Sequence, residues 1–147
     1  MDEPVLVTTE PSRLDRLRAP LVTAGIVGGL TIALHFRDPH TSGSWGGCPW
    51  LALTGLYCPG CGGLRAVNDL THGDVLAALS SNLVFVVMVP ALVLWWLRWT
   101  GRAWSGGAGS DRGVRTRHAR VWIGVFAVVT VLFGVLRNLP FGIWLAP

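Results

Sequence analysis

Three stretches of the chain run without Asp, Glu, Lys or Arg for long enough to form membrane-crossing elements. Residues 19–36 read APLVTAGIVGGLTIALHF and lie between Arg18 and Arg37. Residues 75–97 lie between Asp74 and Arg98, carry Pro90, and end in a cluster of Trp95, Trp96 and, just beyond, Trp99. Residues 121–136 form the shortest stretch, between Arg120 and Arg137. A helix that crosses a bilayer needs about 20 mostly apolar residues. The third stretch reaches that length if Arg120 and Arg137 snorkel toward the headgroups. The pattern therefore predicts an all-α membrane protein with three transmembrane helices in a single membrane domain over residues 17–147. Pro90 is a position where the second helix could kink.

Composition points the same way. Hydrophobic residues make up 51% of the 147 and charged residues 14%, whereas soluble domains average about 25% charged. Mean hydropathy is +0.50. There are eight Trp against one Tyr, and Trp is favoured where lipid meets water. These values exclude a soluble enzyme built on a large central sheet, and a disordered chain. The first residues, MDEP, are acidic where a signal peptide would be basic, and no Ala-x-Ala site follows the first apolar stretch. The first helix is expected to be a retained anchor, preceded by a disordered cytoplasmic segment, residues 1–16.

All twelve basic residues are arginine, and their distribution sets an orientation. Arg13, Arg16 and Arg18 precede the first span; Arg98, Arg102, Arg112, Arg115, Arg117 and Arg120 lie between the second and third. Only Arg37, Arg65 and Arg137 fall on the opposite side. The positive-inside rule then places the N-terminus in the cytoplasm of a multi-pass cell-membrane protein, with the first loop and the C-terminus outside. The basic stretch with its interspersed Gly and Ser reads as a flexible linker that attracts anionic lipid, and not as a nucleic-acid site. The expected partners are the lipid bilayer and, through the small residues Gly25, Gly28 and Gly29, another membrane protein or a second copy of the chain.

The distinctive chemistry lies in the first loop, residues 38–74. It holds all three cysteines, Cys48, Cys58 and Cys61. The run Trp50, Leu51, Ala52, Leu53, Leu56 and Tyr57 suits the headgroup boundary or a shallow re-entrant turn. Thr54-Gly55 is a turn signal. Cys58-Pro59-Gly60-Cys61 resembles a helix entry, with proline at the first helical position. Leu64, Val67 and Leu70 would line an apolar face, and Arg65 and Asp69, four apart, would pair on the polar one. Thr71-His72-Gly73 ends that helix, and Asp74 is a suitable N-cap for the second span. Asn82, inside that span, needs a partner from a neighbouring element. One or two short interfacial helices are therefore expected in the loop.

The arrangement Cys48-Pro49, Thr54-Gly55, Cys58-Pro59-Gly60-Cys61-Gly62, Arg65-Ala66, Leu70, Gly73-Asp74, Ala77-Ala78 and Asn82 resembles a small family of bacterial membrane proteins catalogued as domain of unknown function 2752 (DUF2752). The closing Arg137-Asn138-Leu139-Pro140, Trp144-Leu145 and Pro147 fit it too. The chain has Cys61-Gly62-Gly63-Leu64-Arg65 where many members have Cys-Gly-Leu-Thr-Arg. It has Asn82-Leu83 where many have Asn-Pro, which puts a kink after Asn82 in question. The resemblance implies location and architecture, and no activity.

Three readings of the cysteines stay open. A disulfide of Cys48 with Cys58 or Cys61 would close a loop of about a dozen residues, stabilising by about 2–3 kcal/mol in the chain-entropy picture, and would leave one thiol. A zinc site would use Cys48, Cys58 and Cys61 with His72 or His40 as fourth ligand. Thiol exchange would use Cys58 and Cys61 at a helix N-terminus, where a thiolate is favoured, although the βαβ context of thioredoxin-like proteins is missing. Gly62 after Cys61 disfavours covalent haem, which needs His there. His35 reads as an interfacial residue, His118 as a solvated one, and Asp69 and Asp74 as pairing and capping groups. No Ser-His-Asp set, P-loop or dinucleotide fingerprint occurs, and charge-free spans disfavour a transporter.

The leading expectation is thus a non-enzymatic accessory or scaffold component without a cofactor, in which Cys48, Cys58, Pro59, Gly60, Cys61, Gly62, Arg65, Asp74 and Asn82 organise an outward loop. The alternative is a zinc-binding or thiol-redox membrane protein. A membrane-impermeant thiol reagent, applied to intact cells after reduction, should label the first loop; labelling only after access to the cytoplasmic side would overturn the orientation.

Overall fold

The structure, a computed structural model, describes residues 12–106 and 112–146; the side chains of 112–119 and of Ile143 are outside that description. The expectations for residues 1–11, for the side chain of His118 and for Pro147 lie outside it as well. The regular elements among the described residues are all helices, without a strand. The order is α1 (Arg13–Phe36), α2 (Pro49–Thr54), α3 (Gly63–Thr71), α4 (Val75–Ser105), α5 (Arg112–Leu136) and a closing 3-10 helix (Pro140–Leu145). Two helices, α1 and α4, are long and apolar enough to cross a membrane. The apolar part of α5, Arg120–Leu136, is shorter.

Helix α1 starts before the apolar stretch does. Ser12 caps it: its hydroxyl accepts from the Asp15 N–H at 3.2 Å, while the Asp15 carboxylate accepts from the Ser12 N–H at 3.1 Å. This reciprocal capping box satisfies two otherwise unpaired amides. Residues 12–16, expected in a disordered segment, are therefore the capped start of a helix. A similar correction applies between α4 and α5. Arg98 and Arg102 lie on α4, and Arg112, Arg115, Arg117 and Arg120 on α5. Those two parts of the basic stretch are helical, while residues 107–111, on which the linker expectation chiefly falls, lie outside the described residues. Arginine is a good helix former, and Gly106, at φ 68°, ends α4.

Helices α1 and α4 run antiparallel. At one end the Arg16 Nε donates to the carbonyl of Ala103, and Trp96 Nε1 to that of Pro20, both at 3.2 Å. At the other end α3 packs against both. Asn68 Nδ2 donates to the Leu34 carbonyl at 2.7 Å, fixing α3 to α1. The Ser81 hydroxyl donates to Asp69 Oδ2 at 2.8 Å, fixing α3 to α4. His40 Nε2 lies 3.4 Å from Asp69 Oδ1. Asp69 is thus engaged by His40 and Ser81, and not by Arg65 as its spacing suggested.

The face that α3 buries is Ala66, Asn68 and Asp69, whereas Leu64 remains 47% exposed. Val67 and Leu70, expected with Leu64 on an apolar face, are half-buried, so that face is not the one α3 buries most. The reason is general in this molecule: the buried set includes Asn68, Asp69, Ser81, Asn82 and Arg137 beside Leu17, Leu34 and Phe133, while most leucine, valine and isoleucine side chains of α1, α4 and α5 are exposed. In water such a surface would aggregate. Against lipid it is ordinary, and the polar groups are the ones that must find partners inside.

Asp74 caps α4 as expected, its Oδ1 accepting from the Ala77 N–H at 2.9 Å. The kink in α4 falls at Asn82 (φ −161°, ψ 94°) and not at Pro90. No following proline is needed, because the Asn82 side chain makes its own helix start: Oδ1 accepts from the Phe85 N–H at 3.0 Å. Asn82→Ala should remove this internal cap and leave loop carbonyls unpaired, destabilising the fold by about 2–4 kcal/mol. Unfolding followed in detergent checks this; a change below about 0.5 kcal/mol, the size of an ordinary surface substitution, would show that the kink is set elsewhere.

Candidate metal centre

The three cysteines reach one point from two turns. Cys48 is the N-cap of α2, with Pro49 at the first helical position, so the proline signal belongs here and not at Pro59. Gly55, at φ 71°, closes α2 and returns the chain. Residues 58–62 form tight turns, with the Cys61 N–H donating to the Cys58 carbonyl at 3.1 Å and the Gly63 N–H to that of Gly60 at 3.0 Å. Helix α3 begins only at Gly63, after Gly62 at φ 82°. The segment Cys58-Pro59-Gly60-Cys61 is therefore a turn before a helix, and not its first turn.

The three Sγ atoms lie within 4.8 Å of one another. Cys58 is central, 3.4 Å from Cys48 and 2.9 Å from Cys61. All three are free thiols; the cross-link considered for Cys48 is not formed in the structure. Cys48 and Cys58 are partly exposed and Cys61 is buried. Their environments separate their acidities. The Leu51 N–H, together with the neighbouring thiols, lowers the Cys48 pKa to about 7, although no full capping hydrogen bond reaches its sulfur. Burial, followed by the neighbouring thiols, pushes Cys61 up to about 12.

Polar side chains hold the turn by its carbonyls. Asn82 Nδ2 donates to the carbonyls of Pro59 at 2.9 Å and Cys61 at 3.1 Å. Arg137 NH1 donates to those of Cys58 and Cys61, both at 3.0 Å. Asn138, just after α5, pairs with the backbone of Tyr57 in both directions, at 2.8 Å each. Behind the turn, α5 comes so close that a Cβ added at Gly134 would stand 2.8 Å from the Pro59 ring.

Arg137 is 1% exposed, so it does not snorkel as its position after the third apolar stretch suggested. Its guanidinium lies over the Phe133 ring, with Cζ 4.8 Å from the centroid. Burial disfavours its charge, and negative charge on Cys61, Cys58 and Tyr57 would restore it.

Of the other expected site residues, Asp74 and Asn82 act in α4 as cap and clamp. Arg65 is half-buried on α3. His72 does not join the sulfurs: the metal-competent group consists of Cys48, Cys58 and Cys61 alone. The His72 ring stacks on His35 with centroids 4.3 Å apart, and its Nδ1 lies 2.9 Å from the Asn68 carbonyl. His40 is taken by Asp38 and Asp69. The proposed fourth ligand is therefore corrected, because α3 carries His72 to its far end. Residues that sequence reasoning left out of the site are Arg137, Asn138 and Gly134. The Arg-Asn pair was visible as a motif, but nothing in the linear order placed it against a loop some eighty residues earlier.

The family model described as "Protein of unknown function (DUF2752)" matches residues 48–96, bearing out the resemblance over that stretch. The match includes all three cysteines, Asp74 and Asn82, and ends before Arg137. No curated protein and no solved structure matches the chain.

The separated acidities have a direct readout. In metal-free, reduced protein, iodoacetamide should modify Cys48 first, with a rate that rises through pH 7 as the thiolate forms, while Cys61 stays unmodified through pH 9. Peptide mass spectrometry after timed quenching checks this; equal modification of Cys48 and Cys61 at pH 8 would contradict it.

Proposed function

We propose that the protein is a small multi-pass membrane component whose outward loop holds a thiophilic metal ion, zinc being the simplest choice, on Cys48, Cys58 and Cys61. The observation that carries this reading is the convergence of three free thiols within 4.8 Å. A disulfide would use two sulfurs and leave the third beside them without a role. Three thiolates form a donor set suited to zinc or another soft ion. They leave a fourth position for water or an external ligand, because no histidine of the loop is at hand. The turn that carries two of the cysteines is braced by Asn82, Arg137 and Asn138, as ligands of a metal are commonly braced by a surrounding shell.

The membrane reading rests on α1 and α4, with α5 as the third span. Its Arg120–Leu136 stretch, at 1.5 Å per residue, covers about 25 Å of a hydrocarbon core of roughly 30 Å. The arginine bias favours a cytoplasmic N-terminus; the Arg16–Ala103 contact joins the start of α1 to the end of α4, and the Arg137–Cys58 contact joins the end of α5 to the cysteine loop. In this reading the protein is an accessory or scaffold component in the cell membrane and not a catalyst. Its partners are lipid and neighbouring membrane proteins or copies of itself.

Full-length protein purified under reducing conditions and supplied with zinc should retain one zinc per chain, measured by elemental analysis. Cys58→Ser should abolish retention, because Cys58 is the sulfur nearest both others. Protein that retains no zinc, or Cys58→Ser that retains it fully, would sink the proposal.

A further inference from the structure

Arg137 poses a charge problem that no carboxylate among the described residues solves. The guanidinium is 1% exposed, and NH1 spends its two bonds on the neutral carbonyls of Cys58 and Cys61. Nε and NH2 are buried with no hydrogen-bond partner. Among the described residues no carboxylate pairs with it. A guanidinium keeps its proton even when buried, and a buried charge without an opposite one is strongly unfavourable. The rings of Phe133 and Tyr57, 4.8 and 5.7 Å from Cζ, give only partial compensation. The ionisable groups that act on it are the Cys61 and Cys58 thiols and the Tyr57 hydroxyl.

We infer that Arg137 is the built-in countercation of the cysteine centre, and that the centre takes a divalent ion. This rests on the metal reading given above. A divalent ion that binds Cys48, Cys58 and Cys61 displaces three thiol protons to solvent, and the resulting tris-thiolate carries a net charge of −1. Together with Arg137 the unit, of which Cys61 and Arg137 are buried, is neutral. A monovalent ion such as Cu(I) would leave the same unit with an excess negative charge, which a site of low dielectric disfavours. Arg137 is a positioning residue in this scheme: it touches the backbone of two ligands and balances the charge of all three.

The test is titration of full-length protein in detergent with cobalt(II), read by its sulfur-to-metal charge-transfer band, and competition by zinc. Arg137→Gln keeps an amide donor but removes the charge; Arg137→Lys keeps the charge but loses the planar fork. Wild type should bind one cobalt(II) per chain. Arg137→Gln should bind about 10–100-fold more weakly, the range for losing a supporting group around a metal, with the band unchanged in position because the ligands are unchanged. Arg137→Lys should remain within a few-fold of wild type. Equal affinity in wild type and Arg137→Gln overturns the countercation assignment, as does a loss in Arg137→Lys as large as that in Arg137→Gln. Should Arg137→Gln not fold, the Lys variant decides alone. Tighter retention of Cu(I) than of zinc in competition overturns the divalent assignment. If wild type shows no cobalt band at all, the metal reading itself falls, which is a different result from a band insensitive to position 137.

Discussion

A turn pairs only some of its own carbonyls, and those that remain must find donors elsewhere. That constraint governs the cysteine end of this molecule. The carbonyls of Tyr57, Cys58, Pro59 and Cys61 all receive side-chain donors, from Asn138, Arg137 and Asn82. Those three residues come from distant parts of the chain, one inside α4 and two beyond α5. The arrangement of the helices is therefore tied to the turn, and the convergence of the sulfurs follows from the turn's shape.

The interior is organised around polar contacts more than around an apolar core. Asn68 and Asp69 fasten α3 to α1 and α4, while most of the large apolar side chains are exposed, Leu17, Leu34 and Phe133 being buried. Aliphatic side chains gain little from leaving lipid for each other, so packing between helices relies on hydrogen bonds and close approach. Gly134 against Pro59 is the clearest close approach, with no room for a Cβ. Ala66 and Ala78, both fully buried, serve in the same way on α3 and α4.

Much of this was legible in the linear chain, and what was not has a common cause. Charge-free stretches located the long helices, because a charge inside a span is costly. Gly55, Gly73 and Asp74 marked turns and caps by rules that act within a few residues. Proximity of the cysteines in sequence announced a shared site. The errors arose where a local rule met a distant partner. Pro59 looked like a helix start because the rule cannot see that Asn82 and Arg137 hold its neighbourhood in a turn. Arg65 and Asp69 looked like a pair because the spacing is right, but Ser81 and His40 reach Asp69 first. His72 looked like a ligand because it is near in number, while the direction of α3 removes it. Arg137 looked like a snorkelling cation, and only the folded chain reveals two carbonyls waiting for it.

Asn82 has a consequence for how the parts can separate. Its oxygen holds the Phe85 amide and its nitrogen holds two carbonyls of the cysteine turn, so one planar group is common to both. The amide plane cannot swing to release one set without losing alignment with the other. A shift of the turn by a single residue would break the start of the second half of α4 in the same event. The cysteine turn and the upper part of that long helix therefore behave as one mechanical unit: they come apart together or not at all.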